Sequence, residues 1–280
     1  MIFAKTVNAM RSLIGEWRKE GLTVGLVPTM GYLHEGHMSL INKAVEENDR
    51  VVVSIFVDPT QFGPGEDLES YPRDLERDVA LCENAGTDIV FQPSVSEMYL
   101  DNFCTFVDVD VLTKGLCGKT RPTHFRGVCT VVSKLFNIVG PDRAYFGQKD
   151  AQQLAVIRRM VRDLNFNVQV VGCPIVREED GLAKSSRNTY LNKEERAAAV
   201  VLHKGLTAAE ELLESGEKDP EKIVKAVTDV IQQEPLAKID YVELVNWDTL
   251  TPVYQVMGEV LVAVAVYIGK TRLIDNFILR

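Results

Sequence analysis

The chain has 280 residues, 46% of them apolar and 25% charged, with a formal net charge of −9. That length can bury a substantial core, the composition is that of a soluble globular protein, and the acidic balance argues against a nucleic-acid partner, which favours a basic surface. The five cysteines (82, 104, 117, 129 and 173) form no C-x-x-C pair, no signal-peptide core follows Met1, and no apolar run reaches membrane-spanning length, so a cytoplasmic protein with reduced thiols is expected.

In chain order, strand-like apolar runs at 22–27, 51–57, 88–91, 143–146 and 167–171 alternate with helical patterns near 36–48, 72–85, 125–139 and 150–164. Near-continuous apolar strands separated by amphipathic helices predict an α/β fold with a parallel sheet covered on both faces, spanning residues 1–175. After a hinge around 172–179 the pattern changes. Helical stretches at 193–215 and 219–233, the second opened by Asp219-Pro220, precede strands at 239–245, 260–267 and 272–278, and Gly269-Lys270-Thr271 reads as a hairpin turn. Residues 176–280 are therefore expected to form a smaller α+β domain.

Ligands of parallel α/β sheets bind beyond the carboxyl ends of the strands, and four polar clusters fall at such ends. The first is Pro28-Thr29-Met30-Gly31-Tyr32-Leu33-His34-Glu35-Gly36-His37, which runs into a helical pattern carrying Leu40, Ile41, Ala44 and Val45. Unpaired backbone N–H groups and the positive helix end would suit phosphate there. Imidazoles at i and i+3 share one side of the first turn and can reach the same oxyanion. A zinc pair is the competing reading, but the zincin motif needs i, i+4 spacing and neither His124 nor His203 is an evident third ligand. The other clusters are Asp58-Pro59-Thr60-Gln61-Phe62, Gly147-Gln148-Lys149-Asp150, and the 177–188 segment containing Lys184-Ser185-Ser186-Arg187. All four are expected to converge on one site.

Taken together, Pro28-Thr-Met-Gly-x-Leu-His-x-Gly-His37, Phe56-Val-x-Pro-x-Gln-Phe62, Tyr71-Pro-Arg73, Phe146-Gly-Gln-Lys-Asp-x-Gln-Gln153 and Asp180-Gly-Leu-Ala-x-Ser-Ser-Arg-Asn188 resemble the pantothenate synthetase family over essentially the whole chain. The resemblance implies a Rossmann-like first domain binding nucleotide and pantoate, with the smaller domain closing over the site, in a cytoplasmic homodimer. It also implies condensation of pantoate with β-alanine through a pantoyl adenylate, using ATP with Mg²⁺ and releasing AMP and pyrophosphate. His34, His37, Lys149 and Arg187 would be catalytic. ATP would be held by Met30, Gly31, Tyr32, Leu33, His34, Glu35, Gly36, His37, Gly147, Gln148, Lys149, Asp150, Val176, Lys184, Ser185, Ser186 and Arg187. Gln61 and Gln153 would hold pantoate, with Gln61 also near β-alanine; no Mg²⁺ ligand is identified.

The residue chemistry suits that reaction on its own terms. Attack of a carboxylate on the α-phosphorus builds negative charge on the phosphoryl group and on departing pyrophosphate, so positioned donors matter more than a strong base. Amides such as Gln61 and Gln153 can read a hydroxy acid without adding charge. A nucleotidyltransferase that keeps the nucleotidyl group in its product would share the histidines without needing both glutamines, and a nucleotide sensor would bind without turnover. Two positions depart from the family pattern: Asp58 replaces the usual Asn, and Lys184 the usual Met. Arg121, His124 and Arg126 form a basic cluster that could meet pyrophosphate or lie in a solvated loop.

Overall fold

The computed structural model describes residues 1–279. Its elements in order are β1 (Ile2–Ala4), α1 (Val7–Lys19), β2 (Val24–Thr29), α2 (Glu35–Glu47), β3 (Arg50–Ile55), α3 (Leu75–Asn84), β4 (Ile89–Phe91), α4 (Val95–Met98), α5 (Leu116–Thr120), α6 (His124–Val139), β5 (Arg143–Gly147), α7 (Ala151–Asp163), β6 (Gln169–Cys173), α8 (Lys193–Ala198), α9 (Val201–Glu214), α10 (Pro220–Ile231), β7 (Ala237–Asn246), β8 (Val260–Ile268) and β9 (Thr271–Leu279). Two compact units emerge. The first holds residues 1–110, 121–148 and 156–174; the second holds 111–120, 149–155 and 175–280. Two short segments from within the expected first domain thus group with the C-terminal residues.

The first unit is a six-stranded parallel sheet in the order β1-β4-β3-β2-β5-β6. Its central strands β2 and β3 are buried almost throughout, as expected for strands covered on both faces. Leu40, Ile41 and Ala44 of α2 pack with Val27, Val53 and Ile55 in one core, while α6 packs against β2 and α1. Strand order reverses between β2 and β5, which makes their carboxyl ends the switch point where such sheets bind ligands. The two strands pair only at Gly25↔Arg143 and Leu26↔Ala144, whereas β2 stays paired with β3 up to Thr29↔Ile55. Pro28 lies beyond the last β2–β5 pair, where its missing N–H removes no ladder bond on that side.

The second unit is built on an antiparallel sheet, β7-β8-β9. One face buries alternate β8 residues Val260, Val262, Val264, Val266 and Ile268 against α9 and α10. The other face receives α5 and the 149–155 segment. Cys117 Sγ lies 3.3 Å from the Tyr241 hydroxyl, Thr120 donates to Asp240, and Asn276 Nδ2 donates to the Lys149 carbonyl at 2.9 Å. These contacts explain why 111–120 and 149–155 belong to this unit. Its β8–β9 hairpin turns at Gly269, whose φ is +58°. Among the described residues all five cysteines are free thiols, and no helix is long and apolar enough to cross a membrane.

Candidate active site

The turn after β2 is held in an unusual shape. Gly31 has φ +83° and Tyr32 φ +50°, two successive left-handed residues. A Cβ on Gly31 would lie 2.9 Å from Asp78 Oδ2 and 3.0 Å from Ile55 Cγ2, so only glycine fits. Asp78, on α3 and 1% exposed, accepts the N–H groups of Tyr32 at 2.6 Å and Leu33 at 2.7 Å. Burial raises the Asp78 pKa above its ordinary value although those two bonds favour the charged form. Sequence reasoning missed Asp78, because nothing in the 74–84 pattern marks one helical carboxylate as facing a turn about 45 residues away.

His34 caps α2. Its Nδ1 accepts from the Gly36 N–H at 3.1 Å, while the His34 N–H donates to His37 Nδ1 at 3.2 Å. In neutral imidazoles that assignment puts the proton of each ring on Nε2. The turn therefore corrects one expectation. The N–H groups of Gly31, Tyr32, Leu33, His34 and Gly36 all have acceptors within the protein: Thr29 Oγ1, Asp78, Asp78, His37 and His34. Donors at this helix end come from side chains rather than from an open backbone cradle. Leu33, expected at the nucleotide, is fully buried in the α2 core.

Gln61 is 8% exposed and its Nε2 points at Met30 Sδ, 2.6 Å away, which joins the second cluster to the first. Its backbone is set by α6. A Cβ on Gly127 would come within 2.6 Å of the Gln61 backbone, so the glycine permits the approach. His124 Nδ1 lies 3.0 Å from the Gln61 carbonyl. Asp58 is turned inward, 1% exposed, accepting from the Thr60 N–H, the Thr60 hydroxyl and Tyr99; burial raises its pKa against these bonds. It caps the 59–61 turn. The basic cluster is likewise engaged: Arg121 Nε donates to Glu66 at 2.9 Å, and the Arg126 guanidinium sits 4.0 Å from the Phe106 ring centroid.

Gly147, at the end of β5, has an ordinary negative φ, and a Cβ there would meet nothing within 4 Å. Neither backbone shape nor packing explains this glycine. Gln148 follows it.

The second unit carries the remaining candidates. Lys149 Nζ lies 3.7 Å from Asp150 Oδ1. Gln152 is buried, donating to the Leu112 and Gly115 carbonyls and accepting from the Cys117 N–H. Gln153 is only half-buried, and among the described residues its amide has no hydrogen-bond partner. A narrow hairpin then runs from Val176, whose carbonyl accepts from the Lys184 N–H, through an Arg177↔Ala183 bridge. Its tip, Gly181, has φ +94° and rests on His203, so closely that a Cβ would overlap the imidazole. Lys184 Nζ is 2.7 Å from Glu178 Oε2. Ser185 caps the turn Ser186–Tyr190, its Oγ accepting from the Arg187 N–H at 3.3 Å, and Ser186 is buried.

Comparison with known proteins identifies the family. The family model for pantoate-beta-alanine ligase matches residues 2–278. Pantothenate synthetase of Enterococcus faecalis is 65% identical over 277 residues, covering 99% of this chain and 98% of the relative; that of Clostridium novyi is 62% identical, covering 100% and 99%. The crystal structure of pantothenate synthetase from Thermus thermophilus superposes with a TM-score of 0.95 at 48% identity, over 99% of both chains. The pantoate-beta-alanine ligase of Francisella tularensis, determined in complex with beta-gamma ATP and beta-alanine, has a TM-score of 0.80 at 35% identity over 99% of this chain and 97% of its own. A family match across nearly every residue, with whole-chain structural agreement, places the chain in the pantoate-beta-alanine ligase family.

Proposed function

We propose that the chain joins pantoate to β-alanine in two steps with the residues described above. First, a pantoate carboxylate oxygen bonds to the α-phosphorus of ATP, the α–β bridging P–O bond breaks, and pyrophosphate leaves. Then the β-alanine amine attacks the acyl carbon of the pantoyl adenylate, the C–O bond to AMP breaks, and the nitrogen loses a proton. The ATP- and β-alanine-containing complex of the Francisella relative supports these substrates.

His34 and His37 serve the first step by donating from Nε2 to phosphate oxygens as charge develops. Met30 to His37 hold the nucleotide around that turn, and Gly147 with Gln148 admits its sugar and base, consistent with the empty space at the missing Cβ. Lys149 and Arg187 supply fixed positive charge, Asp150 accepts from ribose hydroxyls, and Val176, Lys184, Ser185 and Ser186 shape the phosphate-directed segment. Gln61 and Gln153 read the pantoate hydroxyls and carboxylate, and Gln61 also faces β-alanine. Mg²⁺ would accompany the nucleotide and would neutralise charge on its phosphates. Among the described residues no group of three or more His, Cys, Asp or Glu side chains is assembled to hold a metal. Cytoplasmic residence fits the five free thiols, and a homodimer follows from the family resemblance.

The reciprocal His34–His37 cap carries this reading, because with both Nδ1 atoms accepting backbone N–H groups each ring keeps Nε2 as its donor atom beyond the β2 carboxyl end. The two glutamines favour the ligase over a transferase that retains the nucleotidyl group. Mixing the protein with Mg-ATP, pantoate and β-alanine should yield AMP and pantothenate in equal amounts. ADP and phosphate as products would exclude the adenylate route.

A further inference from the structure

Two consecutive residues of β9 reach both substrate-directed segments of the second unit. Asp275, 3% exposed, holds the Arg177 guanidinium through two hydrogen bonds, Nη1 to Oδ2 at 2.6 Å and Nη2 to Oδ1 at 3.0 Å. Arg177 also donates to the Gly181 carbonyl at 3.0 Å, so one guanidinium ties the hairpin's first strand to its tip. Asn276, 2% exposed, donates from Nδ2 to the Lys149 carbonyl. Consecutive strand residues face opposite sides of a sheet. The pairings Asp275↔Val264 and Asn276↔Ala263 put Asp275 on the side packed by α9 and α10, and Asn276 on the side receiving residues 149–155.

Both contacts are costly to lose. The Asp275–Arg177 pair is a two-pronged charge-assisted contact in which the carboxylate is buried and the guanidinium half-buried, and the amide of Asn276 is out of water. Neither residue carries a side chain that the proposed chemistry uses directly, yet each is bonded to a segment that does.

We propose that Asn276 is a positioning residue for Lys149, and that Asp275, through Arg177, positions the hairpin that leads to Arg187. One strand thereby sets two otherwise separate cationic groups from its two faces. The inference rests on Lys149 and Arg187 acting in adenylation. A misplacement of about 1 Å costs up to about 10²-fold in rate, so Asn276→Ala is expected to slow pyrophosphate release from ATP and pantoate by about 10-fold or more, with Asn276→Ser, which keeps a donor, in between.

A double-mutant cycle on the full chain separates positioning from mere support. If Asn276 acts through Lys149, Asn276→Ala should cost less than about twofold in the Lys149→Ala background; an equal cost in both backgrounds overturns the inference. Asp275→Asn run against Arg187→Ala gives the parallel cycle for the hairpin, and melting curves confirm that each variant folds. Should Asn276→Ala not fold, Asn276→Ser carries the same cycle. Full activity of Lys149→Ala or Arg187→Ala would instead strike at the proposed function, a result distinct from additive cycles.

Discussion

The imidazoles of His34 and His37 stand 4.0 Å apart between ring centroids, each accepting a backbone N–H on Nδ1. One pair of side chains thus starts a helix and presents two donors. The roles can be separated. His34→Asn keeps a good capping residue but loses the Nε2 donor, so stability to urea should stay within about 0.5 kcal/mol while pyrophosphate release falls about 10²-fold. His34→Ala should lose a further ~1 kcal/mol with the cap. Undiminished turnover in the Asn variant would confine His34 to capping.

Asp78 supports that cap from the core by holding the Tyr32 and Leu33 N–H groups. Asp78→Ala leaves both without an acceptor, a loss of about 1–3 kcal/mol for each buried group, and frees the left-handed pair Gly31-Tyr32. Asp78→Asn retains one acceptor oxygen. Denaturation should rank wild type above Asn above Ala, and adenylation should follow the same order. A stable, fully active Ala variant would show that the turn holds itself.

Much of this architecture was legible in the sequence because it is local. Strand and helix periodicity placed the strands from β2 to β9 and the longer helices between them, and the Gly269 turn marked the final hairpin. The misses have physical causes. β3 ends at Ile55 although the apolar run continues to Val57, because backbone pairing and not hydropathy ends a strand. The expected single helix at 193–215 is two, α8 and α9, broken near Ala199-Val200 with no Gly or Pro to announce it. β1, α1 and the short helices α4 and α5 were not anticipated. Strand order, and with it the switch point between β2 and β5, is a matter of long-range pairing that no window of sequence contains. Long-range contact also decided how candidate residues are held within each unit: Asp78 and Gly127 in the first and Asn276 in the second are each defined by a partner far along the chain.

Gly147 offers a direct probe of ligand approach. Since a Cβ there meets no protein atom and φ is negative, Gly147→Ala should leave stability unchanged or raise it by about 0.4–1 kcal/mol through the unfolded state. ATP affinity, measured by calorimetric titration, should nevertheless drop about 10-fold. Unaltered affinity would mean that the nucleotide does not lie against residue 147.

Glu66 and Arg121 give the loop at 63–67 a pH signature. Burial works to raise the Glu66 pKa, but the hydrogen bonds and charge of Arg121 prevail and hold it below its ordinary 4.5. The unfolded chain then binds this proton more readily, so the stabilisation is present above pH ~4.5 and is lost as pH falls through the lower folded value. Thermal melts between pH 3 and 7 should show a smaller acid-side loss in Glu66→Gln than in wild type. Parallel curves would show that the pair contributes nothing to folding.

Lys184, where the family resemblance led to the expectation of Met, has its amine matched to Glu178 at 2.7 Å, with both side chains largely shielded. The pair is close to neutral as a unit. Lys184→Met would therefore remove a cation and also unmask the Glu178 carboxylate beside the segment proposed to face phosphate. ATP binding should weaken a few-fold, the scale of a partly exposed charge contact, and more at low salt than at high salt, because screening fades the repulsion. Pantoate affinity without ATP should hardly move. The double variant Lys184→Met/Glu178→Gln carries neither charge, and its ATP affinity should return toward that of wild type. Titration of ATP at two salt concentrations decides the matter: an effect of Lys184→Met that survives Glu178→Gln would mean that Lys184 itself contacts the nucleotide, and no effect at either salt would leave the ion pair without influence on binding.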